Sequence, residues 1–144
     1  MKRSKLSMVV VAGSFILLAT GCAGKNTKLV CTQSQSGVDM TFDVNFKGNV
    51  VDTMDIKYEM DLSKYTDKQV EAVGKQDFCT KVKSVMGQYK DGFEDCKQSI
   101  ENKKLTVSSN INVDKIASST RDKIGSPDAT KKEIEQSGFK CTKE

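Results

Sequence analysis

Five apolar side chains fall on alternate positions at Val38, Met40, Phe42, Val44 and Phe46, with Asp39, Thr41, Asp43 and Asn45 between them. A strand repeats every two residues, so this spacing makes one face apolar and leaves the other wet. Ser36-Gly37 before the segment and Lys47-Gly48-Asn49 after it are turn-formers, and the alternation resumes at Met54, Ile56, Tyr58 and Met60. Together with the stretch Leu29 to Gln33, the pattern predicts an antiparallel meander. Met on alternate strand positions is read as core rather than as a soft-metal surface, because the flexible thioether fills irregular gaps.

The period then changes. Thr66 and Gln69 have the spacing of a capping box, and Val70, Val73, Phe78, Val82, Val85 and Tyr89 follow at helical intervals. One amphipathic helix ending near Gly87 is expected; Gly74 weakens its first half by about 1 kcal/mol relative to Ala and marks where a break would fall. Strand alternation returns loosely from Phe93 to Ile100 and cleanly at Leu105, Val107, Ser109, Ile111 and Val113, with Glu101 to Lys104 as the hairpin loop. Asp114 to Ile124 reads as a short helix or irregular connector. Ser126-Pro127 opens another helix, which runs through Ile134 to a stop at Gly138, and Phe139 to Thr142 supplies a last strand. The expectation is an α+β domain: an antiparallel β-sheet of five to six strands, meander plus hairpin, packed on one side by two or three helices.

The amino terminus obeys a different logic. Lys2, Arg3 and Lys5 precede an apolar run from Met8 to Leu18 that closes on Ala19-Thr20-Gly21-Cys22. This is the order of a secretory signal peptide, and the run is shorter than the roughly 18 to 20 apolar residues of a spanning helix. Leu18-Ala19-Thr20-Gly21-Cys22 resembles the lipobox of bacterial lipoproteins, with Ala19 in place of the commoner Leu. Residues 1–21 are therefore assigned to the signal, Cys22 to lipidation, 22–28 to a short lipidated tether and 29–144 to a single domain. The alternative is an ordinary secretory signal with a free Cys22. Lipidation places the domain on the extracytoplasmic face of the cell membrane, since two or three acyl chains, at about 0.8 kcal/mol per buried methylene, hold far more firmly than one.

Composition sharpens this picture at three points. Removing the signal takes away Lys2, Arg3 and Lys5 and no acidic residue, leaving 20 of the 23 basic side chains against 19 acidic ones, a balance without the electrostatic footprint of a nucleic-acid binder. Cys31, Cys79, Cys96 and Cys141 remain once Cys22 is assigned, an even count that outside the cytoplasm implies two disulfides. Of the three pairings, Cys31 with Cys141 and Cys79 with Cys96 is favoured, the former joining the first and last strand-like segments. Finally, the chain has no His and no Trp. Ser-His-Asp and Cys-His catalysis and imidazole metal sites are excluded, and no Cys-x-x-Cys stands in for them.

Carboxylates are the remaining candidates for chemistry. Asp91, Glu94 and Asp95 cluster at the start of the fourth strand, and Asp39, Asp43, Asp52, Asp55, Glu59 and Asp61 stud the first strands. Their alternation with apolar residues reads as a solvated face. They lack the ligand spacing of an EF-hand, and no glycine-rich phosphate cradle is present. No catalytic residue, metal or cofactor is assigned.

The lipobox, the segment Thr41-Phe42-Asp43-Val44-Asn45-Phe46-Lys47-Gly48, the run Leu105-Thr106-Val107 leading to Asn112-Val113-Asp114, and the ending Ile134 to Gly138-Phe139-Lys140 together resemble the small bacterial lipoproteins typified by the YehR protein. The four domain cysteines are a departure from that pattern. The resemblance implies a fold and an envelope location, and no activity or site residues. Two function classes follow: a structural or interaction lipoprotein whose domain docks an envelope protein, and a lipoprotein that binds a small apolar or peptidic ligand. The second predicts a closed apolar cavity of a few hundred Å³ lined by Met40, Phe42, Met54 and Ile56. With only six Phe and three Tyr to line a pocket, the first is the more economical.

Overall fold

The computed structural model describes residues 25–144; the expected signal over residues 1–21, Cys22 and residues 23–24 lie outside the described residues. Six strands form one antiparallel sheet: β1 (Asn26–Gln35), β2 (Val38–Lys47), β3 (Val50–Asp61), β4 (Phe93–Glu101), β5 (Lys104–Ile111) and β6 (Lys140–Lys143). Their order across the sheet is β4-β5-β3-β2-β1-β6. The first strand starts at Asn26 rather than Leu29, because Thr27 and Lys28 already pair with Phe46 and Asn45. Residues 26–28, expected in the tether, thus belong to the strand.

Turn chemistry sets the register. Ser36 and Gly37 both have positive φ, as do Asn102 and Lys103, the requirement of the two-residue type I′ turn that matches strand twist. Gly48 alone is positive in the Gly48–Asn49 turn, as in the type II′ hairpin. In this register Leu29, Val44, Met54 and Ile111 stand side by side across four strands, and Cys31, Phe42 and Ile56 form the next row. The intervening positions, among them Thr41, Asp43, Asp55, Lys57, Ser108 and Asn110, face the other way and make a polar sheet surface.

Among the described residues four short α-helices occur where two or three helices were expected. The predicted helix after Thr66 divides into α1 (Asp67–Gly74) and α2 (Phe78–Val85). The capping box of Thr66 and Gln69 starts the first. The second has its own start: the Asp77 side chain accepts from the Thr80 backbone N–H at 2.9 Å, so a new amino terminus competes with continuation through Gly74. Further along come α3 (Ser118–Arg121) and α4 (Pro127–Gln136), the latter with Ser126 as cap and Pro127 in its first turn.

The apolar layer contains two clusters. One gathers Leu29, Cys31, Val44, Phe46, Met54 and Ile111 with Ile116, and Ile134 of α4 packs on it. The other gathers Ile56, Leu62, Val82, Phe93, Leu105 and Val107, with Val70 and Val73 of α1 and Phe78 of α2 against it. Phe42 and Met86 touch both. Two disulfides reinforce the layer: Cys31–Cys141 joins the directly opposed β1 and β6, and Cys79–Cys96 joins α2 to β4. Their presence marks a domain that matures outside the reducing cytoplasm.

Where β4 begins, the backbone leaves no room for a side chain. Gly92 is buried, and a Cβ built there would stand 2.5 Å from the Asn112 carbonyl oxygen and 3.0 Å from Ile116 Cγ1. The carbonyl cannot retreat freely, since the Asn112 N–H donates to the Gly92 carbonyl at 2.6 Å. Gly92→Ala is expected to cost about 1 to 3 kcal/mol, the range for overpacking. Denaturant unfolding of the variant, with Gly37→Ala as a comparison in open space at positive φ, separates a steric from a conformational cost.

Candidate functional site

An apolar concavity lies at the seam between the two apolar clusters. Phe42, Met54 and Ile56 form its floor, on the covered face of β2 and β3. One wall is the end of α2 and the following 3-10 turn, with Val85, Met86, Gln88 and Tyr89; the other is Ile124, Thr130, Ile134 and Phe139. The volume is about 500 Å³, and the groove opens to solvent along one side. Val85 stands at the rim, 72% exposed, an apolar side chain left largely uncovered among the described residues.

The groove exists because the helices cover the sheet in two separate groups. After Met86 the α-helical course ends at Gly87, whose φ of 54° is a left-handed conformation, and a 3-10 helix over Gly87–Gly92 follows. From the other side, α4 packs over β1 and β6 rather than reaching α2. A gap remains between the two groups above β2 and β3, at whose base Phe42 is partly exposed while Met54 and Ile56 are buried. The rim carries Lys123 on one flank and Glu133 further along α4, and among the described residues neither enters an ion pair.

The expected cavity is thus corrected in two respects. It is an open groove rather than a closed chamber, and Met40 does not line it. Met40 pairs with Gln33 and Tyr58, one strand repeat nearer the Ser36-Gly37 turn and about 7 Å from the Phe42 row. Three of the four named residues are brought together. The walls were missed, although Val85, Met86 and Tyr89 form an apolar group beside Gly87 that a single continuous helix would have placed on one stripe.

The carboxylates occupy the opposite, polar side of the sheet and its margins. Asp43 and Asp55 are cross-strand neighbours. One Asp43 oxygen accepts from Lys28 at 2.9 Å, and its other oxygen is buried without a hydrogen-bond partner. Asp55 accepts from the Asn110 amide at 3.1 Å, and Glu59 lies between Lys104 at 2.7 Å and Lys57 at 3.2 Å. Hydrogen bonds from Lys104 and then Lys57 hold the Glu59 carboxyl below the usual range. Lys115 and Asn112 do the same for Glu94, the Ser63 backbone for Asp61, Lys103 for Asp67 and Thr80 for Asp77. All of these shifts favour the ionised form, opposite to what a general acid needs. Among the described residues no group of three acidic or cysteine side chains is placed to hold a metal ion, and no helix is long and apolar enough to cross a membrane.

No family model matches the chain, and no curated protein matches it. Among solved structures it is similar to an NMR structure of a protein from Streptococcus pneumoniae TIGR4, with 10% identity, 99% of each chain covered and a TM-score of 0.48.

Proposed function

We propose that this chain is a membrane-tethered lipoprotein of the cell envelope whose domain docks an apolar segment of a partner protein in the groove between α2 and α4. The tether is the lipid on Cys22, supported by the basic, apolar and small-residue order of residues 1–22 and by disulfides that require an oxidising compartment. Kinship with the YehR-like lipoproteins belongs to the same proposal, on the segments that resemble them.

The observation that carries the docking reading is the open apolar groove itself. Its volume of about 500 Å³ falls within the range of small-molecule pockets, but such pockets bury most of a ligand's surface and this groove is open to solvent on one side. An amphipathic segment suits the geometry better, with its apolar anchors against the accessible Phe42, Val85 and Met86 and its polar side outward. Lys123 and Glu133, free of internal ion pairs, offer complementary contacts to charges flanking those anchors.

A photo-reactive amino acid at Gln88, activated in intact cells, is expected to give one discrete protein adduct. The same amino acid at Lys57, on the polar sheet face, should give none. Adding Val85→Asp places a charge at the rim without disturbing the core and should reduce the Gln88 adduct by about tenfold or more, a loss of at least ~1.4 kcal/mol. An adduct of small-molecule mass would favour the ligand-binding alternative. Equal labelling from Gln88 and Lys57, unaffected by Val85→Asp, would contradict a role for the groove.

A further inference from the structure

A second exposed apolar side chain stands at the other functional end of the molecule. Val50, 68% exposed, follows the Gly48–Asn49 turn that joins β2 to β3. That turn is fixed beside the point where the described chain begins: the Gly48 N–H donates to the Lys25 carbonyl at 3.3 Å, and Asn26 pairs with Lys47. Only Ala23 and Gly24 separate Lys25 from Cys22. Even fully extended, the three steps from Cys22 to Lys25 span about 11 Å. A lipid on Cys22 therefore holds Lys25 within about that distance of the bilayer surface, and Val50, two strand spacings of about 4.8 Å across from Asn26, within roughly 20 Å, whatever path the two residues take.

We infer that the hairpin tip Lys47–Val50 is a membrane-contact surface, with Val50 inserted among lipid headgroups and the sheet standing end-on to the bilayer. This rests on the anchoring at Cys22 proposed above. The side chains at the tip suit an interface: one uncovered apolar residue flanked by Lys25 and Lys47, whose aliphatic stems can lie along the boundary while their ammonium groups reach phosphate. Lys47 pairs with Asp52 at 2.7 Å, and this exposed pair can exchange for a lipid phosphate at little cost. The remaining exposed large apolar residue of the strand ends, Tyr65, lies beyond the far end of β3, roughly 40 Å away along a twelve-residue strand. It cannot touch the same surface. End-on standing would also raise the groove above the headgroups, where a protein partner can reach it.

The absence of Trp from the chain provides a clean reporter. Val50→Trp and Tyr65→Trp variants of the full precursor, processed in cells and extracted from membranes, would be reconstituted into phosphatidylcholine vesicles with and without brominated acyl chains. The expected result is blue-shifted emission and at least twofold quenching at position 50, with water-like, unquenched emission at position 65. Vesicle-bound protein whose position-50 emission remains water-like would overturn the contact surface while leaving the anchor intact. Recovery of the protein from cells without lipid, unable to float with vesicles, would overturn the anchor and this inference with it.

Discussion

Replacing Cys31 and Cys141 together with Ala is expected to lower the free energy of unfolding by about 4 to 5 kcal/mol, the chain-entropy value for a loop of their separation. The two cysteines are 110 residues apart in sequence, against 17 for Cys79 and Cys96, for which the same model gives about 3 kcal/mol. The difference follows from how much of the unfolded chain each bond restrains. A second cause acts in the folded state. The last strand is four residues long and pairs with β1 over Leu29 to Thr32, extended by the Lys28–Glu144 backbone pair, so without the bond a short edge ladder alone joins it to β1. Equilibrium denaturation of the double variant, followed by far-UV circular dichroism, measures the loss. Hydrogen exchange should then show β6 and the adjacent edge of β1 opening before the rest of the sheet. A loss no larger than that of the Cys79→Ala/Cys96→Ala pair would contradict the dominance of the long loop.

Phe46→Ala is expected to cost about 3 to 5 kcal/mol, the range for removing a fully packed aromatic side chain. Phe46 is 1% exposed and belongs to the cluster of Leu29, Val44, Val51, Met54 and Ile111. It also sits at the irregularity between Asn45 and Phe46, where the pairing of β2 with β3 shifts register. The extra residue, Asp52, lets Val51 and Met54 both turn inward on either side of it. Loss of the ring therefore leaves a cavity and removes the packing that fixes the shift. Against a domain stability of about 5 to 15 kcal/mol, such a loss would drop the melting temperature by more than about 10 °C. Phe42→Ala provides the contrast. Its ring is only partly buried because it floors the groove, so truncation should cost less stability and more partner binding.

Much of this fold was legible because its strands are amphipathic. Val38 to Phe46 alternates without interruption and Leu105 to Ile111 with Ser109 as its polar member; the strand stops there, Val113 opening a 3-10 turn instead of extending it, and the loop expected over Glu101 to Lys104 narrows to the turn pair Asn102-Lys103. The order of strands was not legible. β5 enters between β3 and β4 through pairings such as Tyr58 with Val107, a choice made by tertiary packing that no local period records. The split of the predicted helix had a readable cause in Asp77 and Thr80, a cap embedded in a sequence whose apolar spacing continued through it. The groove was half visible. Its floor lies on alternating strand positions, whereas its walls come from residues 85–89 and 124–139, and a gap between helix groups has no signature in either.

The carboxylates illustrate the converse. Their alternation with apolar residues placed most of them on a solvated face, and the structure surrounds them with lysines, amides and backbone donors. The lone buried oxygen of Asp43 is the exception, a polar atom whose partner on that face the sequence gives no means to name.

Intact mass of the membrane-extracted protein, before and after reduction and alkylation, tests most directly the claim of a lipid-anchored, doubly disulfide-bonded domain. The account predicts a chain that starts at Cys22, carries added diacylglycerol, and exposes four alkylatable thiols only after reduction. A product without lipid, or thiols that react before reduction, would contradict it.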